Sequence, residues 1–101
     1  MSFRRDRFAD LVARQLEVFV EDEQALLREA EAAETNYDAA DREGAEEAFG
    51  DYQLVLESIA DELEGLRDGY AATLEPDVAD AYAEAFARAV RKRFPKLRAE
   101  L

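Results

Sequence analysis

The sequence contains no cysteine and no histidine. Their absence removes thiolate and imidazole nucleophiles, the usual zinc ligands, haem ligation by histidine and the commonest general base. Without cysteine there is no disulfide to read, so the redox compartment leaves no mark. Proline is confined to Pro76 and Pro95, so little in the chain forbids long helices. No continuous apolar run is long enough to span a bilayer, and the start MSFRRDRFADL has charge without the apolar core of a signal peptide. The expectation is a soluble, cytoplasmic chain with no membrane partner. Lysine is scarce as well, present only at Lys92 and Lys96, against 25 acidic residues and a formal net charge of −12. That balance suits a very salty cytoplasm or a GC-rich genome. It also works against nonspecific nucleic-acid binding, because a duplex backbone repels most of such a surface.

What is abundant is Ala, Leu, Glu and Arg, and 101 residues suffice for one core. The reading is therefore a single all-α domain over residues 1–101. From about residue 3 to 40, Phe8, Leu11, Val12, Leu16, Phe19 and Val20, then Leu26, Leu27, Ala30, Ala33 and Tyr37, recur at spacings of three and four, which predicts one long first helix. Asp41 is suited to capping a second helix over about 42–74. There Phe49, Tyr52, Leu56, Ile59, Leu63, Leu66, Tyr70 and Thr73 form an uninterrupted seam of coiled-coil type. Pro76 opens a third helix to about residue 94, with Asp77 and Asp80 at its positive dipole end. Pro95 ends or kinks it, leaving a basic tail over 95–101.

A turn centred on Asp41 makes the first two helices an antiparallel hairpin in which facing residues sum to about 82. This sets Phe49 against Ala33, Leu63 against Phe19 and Tyr70 against Val12. The same reasoning about the second turn sets Tyr82 against Gly69 and Phe86 against Gly65, making the two glycines notches for aromatic side chains. The third helix is too short to cover the far half of the hairpin. Phe49, Tyr52, Val55 and Leu56 there present more apolar surface than an alanine-rich helix hides, so the expected partner is a second copy completing a four-helix layer.

Carboxylates are the only abundant reactive groups. Glu31/Glu34, Asp61/Glu64 and Asp77/Asp80 have the three-residue spacing used by metal-dependent helical enzymes. In a chain one quarter acidic, however, such pairs arise by chance, so no catalytic, metal or cofactor residue is assigned. Polar residues inside the apolar arcs are more informative. Gln15 and Arg67 are expected to face each other as a buried pair, and Glu23 to pair with Arg93. Tyr37, Tyr52, Tyr70 and Tyr82 read as core residues with wet hydroxyls.

The last fourteen residues carry net +5 and the first fourteen net +2, leaving −19 in between. Arg88, Arg91 and Lys92 form an expected exposed basic patch that complements the negative end of its own helix. The functional expectation is a noncatalytic homodimeric interaction or scaffold module without cofactor. Its alternatives are a carboxylate-based metal-dependent hydrolase and a binder of nucleic acid or an acidic protein through the basic end.

Overall fold

The computed structural model describes residues 7–97. Among them the chain is all-helical and holds no strand. Its helices are α1 (Ala9–Asp22), α2 (Gln24–Ala39), α3 (Ala45–Ala71) and α4 (Pro76–Arg93), followed by a short 3-10 turn at Pro95–Leu97. No helix among these residues is long and apolar enough to cross a membrane. The expected helix start near residue 3 and the end of the tail, 98–101, lie outside the described residues.

The long first helix is in fact two, joined at Glu23 (φ −108°, ψ 30°). Hydrogen bonding continues on both sides, from the Glu23 N–H to the Phe19 carbonyl (2.8 Å) and from the Leu27 N–H to the Glu23 carbonyl (3.0 Å). The bend therefore costs little, and it separates two packing jobs. α1 lies against α4, whereas α2 lies against α3, and α1 and α3 make no close backbone approach. This overturns the facing of Leu63 with Phe19 and of Tyr70 with Val12, which needs α1 alongside α3.

Tyr82 supplies the physical reason. It is fully buried, and its ring meets Phe8 of the α1 end (5.5 Å, edge-on), Tyr70 of α3 (4.8 Å) and Phe86 of its own helix (5.9 Å). A tyrosine inserted between α1 and α3 holds their backbones apart while joining their side chains into one core. That core is Val12, Leu16 and Phe19 of α1, Ile59 and Leu63 of α3, and Tyr82, Phe86 and Val90 of α4, closed by Leu97.

Asp41 is expected at the N-cap of the second hairpin helix, but that position is Gly44, and Asp41 instead closes the turn that leads into the helix. Its carboxylate Oδ1 accepts the Gly44 N–H at 2.8 Å, satisfying one of the unpaired donors at a helix start, although regular helix begins only at Ala45. The turn is consequently later than a centre on Asp41 allows. Phe49 meets Tyr37, with ring centroids 5.3 Å apart, rather than Ala33.

The glycine notches are likewise not there. Gly65 and Gly69 are exposed, and a Cβ added at either would meet nothing within 4 Å. Tyr82 of α4 meets Tyr70 instead, and Phe86 lies in the core cluster with Leu63. Alanine at either position therefore gains helix propensity without a clash. Gly65→Ala and Gly69→Ala should each raise stability by about 1 kcal/mol, read as a Tm increase of about 4–8 °C in a chain of this size.

Candidate self-association surface

Burial is concentrated at one end of the molecule. α2 contributes no fully buried residue, and α4 ends at Arg93, so among the described residues no third helix extends over the distal part of the α2–α3 pair. Its apolar side chains gather there as an aromatic cluster. Tyr37 touches Phe49, and it stacks on Tyr52 with ring planes 25° apart and centroids 6.4 Å apart. Phe49 remains 43% exposed and Tyr37 37%. Tyr52 is half-buried, and desolvation, followed by the nearby Asp38 charge, raises its hydroxyl pKa above the ordinary value. Leu54, 63% exposed, falls by helical spacing on the far side of α3 from Phe49 and Tyr52, so it is not part of the cluster. Val55 and Leu56 are half-buried and pack against the core. Of these two, only Leu56 lines the groove described next.

Below the aromatic rings the same face sinks into a groove of about 440 Å³. Its floor is Leu27 and Ala30 of α2 with Tyr52, Leu56 and Ile59 of α3, and the turn from Phe94 to Leu97 closes its lower end. The charge of this segment suggests a basic tail, yet Leu97 is 2% exposed. Phe94 packs edge-on against Phe19 at 6.1 Å, and Lys96 forms an ion pair with Glu34 of α2. The apolar pair Phe94 and Leu97, three apart around Pro95, was the signal that would have placed this segment in the core. Arg28, Arg93 and Lys96 stand around the groove with Glu31 and Glu34. A second cleft, between α1 and α4, is lined by Leu16, Val20 and Ala89 with Glu17, Glu21, Lys92 and Arg93 at its margins.

The expected polar pairs are rearranged. Gln15 and Arg67 do not bond each other. The Tyr82 hydroxyl donates to Gln15 Oε1 at 2.8 Å, while Arg67 binds the adjacent Asp68 carboxylate at 2.8 Å and acts on Tyr82 only through its charge. Both are half-buried rather than buried, and each has a partner other than the expected one. Glu23 and Arg93 are also apart. Glu23 borders a shallow depression with Glu29, Ser58, Asp61 and Glu62, and the exposed Arg93 lies over the Phe94 ring at 4.9 Å. Each charge reaches water along its own side chain, which removes the need for a partner. Arg88, Arg91 and Lys92 are exposed, with Arg88 3.9 Å from Glu84. Among the described residues no group of three or more carboxylates is gathered so as to hold a metal ion.

Burial raises the Tyr82 hydroxyl pKa first and foremost, with the Gln15 hydrogen bond and the Arg67 charge opposing. A pKa raised by folding means that the fold prefers the neutral phenol. Its contribution to stability is complete below the unfolded value, near 10, and is lost as pH rises through the higher folded value. Tyr82→Phe should cost about 1 kcal/mol at pH 7 and flatten the alkaline fall in stability. Urea denaturation at pH 7 and at about pH 10.5 measures both.

No protein-family model matches the chain, and no curated protein or solved structure matches it either.

Proposed function

We propose that this protein is a noncatalytic helical interaction module that associates with itself through the distal face of the α2–α3 hairpin, with Phe49, Tyr52 and Leu56 at the contact and Val55 supporting them from behind. One observation carries the reading. An aromatic cluster built from two helices stays partly exposed beside a 16-residue helix that has no fully buried residue. A contiguous apolar face of this kind is a contact surface in waiting, and a second copy supplies the same face in return, as a two-fold contact requires. The core cluster does not include the aromatic face, which supports a role for association in presentation or scaffolding rather than in folding.

Sedimentation velocity from nanomolar to micromolar protein tests the proposal. The boundary should shift from one chain, 11.4 kDa, to two. A single-chain boundary throughout would remove it.

A further inference from the structure

Surface charge is divided sharply along the molecule. The hairpin tip, residues 38–51, carries Asp38, Asp41, Glu43, Glu46, Glu47 and Asp51 against Arg42 alone, a net −5. The end of α4 and the turn after it, residues 88–97, carry five basic residues and no acid, a net +5. These two regions do not meet within one chain. Lys96 reaches α2 at Glu34, short of the tip, and the groove lies between them. Laying two tips directly against each other would oppose like charges, so a two-fold contact needs another arrangement.

We propose, resting on the self-association argued above, that the tip of each hairpin seats on the groove of the other copy. The acidic tip of one chain then faces Arg28, Arg93 and Lys96 of the second. The register follows from helix dimensions. Tyr37 and Phe49 mark one level of the hairpin. Taken at ~1.5 Å per residue, the tip turn is about 9 Å above it and the groove residue Leu56 about 10 Å below. Two antiparallel hairpins with their two-fold axis beside Phe49 therefore bring each tip to the level of the other groove. The aromatic clusters meet at the axis, and the charged contact is made twice. The basic end of the chain thus receives the acidic end of its copy, and the apolar floor of Leu27, Ala30 and Leu56 is covered.

A charge exchange tests this arrangement on the full chain. A tip variant carries Glu43→Lys, Glu46→Lys and Glu47→Lys; a groove variant carries Arg28→Glu, Arg93→Glu and Lys96→Glu. Far-UV circular dichroism checks that both stay helical. Each variant alone should sediment as one chain at a concentration where the parent is dimeric, and the equimolar mixture should recover two chains, because both contacts in that heterodimer join opposite charges. A second measurement needs no variant: the parent dimer should weaken about tenfold or more between roughly 50 and 500 mM salt as the charges are screened. Variants that dimerise like the parent, or a mixture that stays monomeric, would overturn the seating while leaving self-association in place. A parent dimer that tightens with salt would do the same. A parent that is monomeric at every concentration would remove both proposals.

Discussion

Tyr82→Ala should destabilise the fold by about 3–5 kcal/mol, the range for removing a large aromatic side chain from a packed core. That is a substantial share of the ~5–15 kcal/mol that holds a typical domain together. Tyr82 has no exposed surface, and its ring is the common contact of Phe8, Tyr70 and Phe86. Because the α1 and α3 backbones do not approach each other closely, a small shift would not fill the space left by the ring. Truncation also strands the Gln15 amide oxygen that the hydroxyl satisfies. Thermal or urea denaturation should show the full loss for Ala and only about 1 kcal/mol of it for Phe. A Tyr82→Ala loss as small as that of Tyr82→Phe would mean that the ring is not the spacer between α1 and α3.

Phe49→Asp should have the opposite profile, leaving the monomer nearly intact and abolishing association. Phe49 is far from the core cluster and already 43% exposed, so the folded chain loses little beyond the contact with Tyr37. In the proposed two-chain assembly the same side chain would lie at the centre of the apolar contact, where truncated aromatic anchors cost about 2 kcal/mol or more, a weakening of about thirty-fold. A carboxylate adds desolvation to that loss, and it faces its own symmetry mate. Leu54→Asp is the control. Leu54 is more exposed than Phe49 but lies on the far side of α3, so an acidic residue there should leave association unchanged. Sedimentation of the two variants, with circular dichroism on each, separates a specific surface from general stickiness. Equal effects of the two substitutions would argue against the aromatic face.

The helical class was legible because apolar spacing of three and four persists along the chain, and because Pro76 opens α4 where its chemistry suits the first turn. The bend at Glu23 was not. No proline or glycine marks it, and it exists only because α1 and α2 have different packing partners. The glycine notches failed for a related reason. A sum rule about a turn fixes level along a helix but not the rotation that decides which side faces inward, and Gly65 and Gly69 lie on the open side. Gln15 and Arg67 interrupt the apolar arcs, yet the partner of Gln15 is the hydroxyl of Tyr82, which joins α4 to α1, a bond that apolar spacing does not reveal. The uncovered aromatic residues at 49 and 52 were readable from helix lengths. Tyr37 joined them only once the turn was seen to fall after Asp41. The closing turn was hidden by its charge: Lys96 drew it towards a tail, while Phe94 and Leu97 put it in the core.

Isotope-filtered NOE spectroscopy on an equimolar mixture of labelled and unlabelled chains tests the central claim most directly, because it reports only contacts between copies. The account predicts intermolecular NOEs among the ring protons of Tyr37, Phe49 and Tyr52, and from the methyl groups of Leu56 to the hairpin tip of the other copy, with none from Leu54. Their absence at a concentration where sedimentation shows two chains, or their appearance at Leu54 instead, would contradict it.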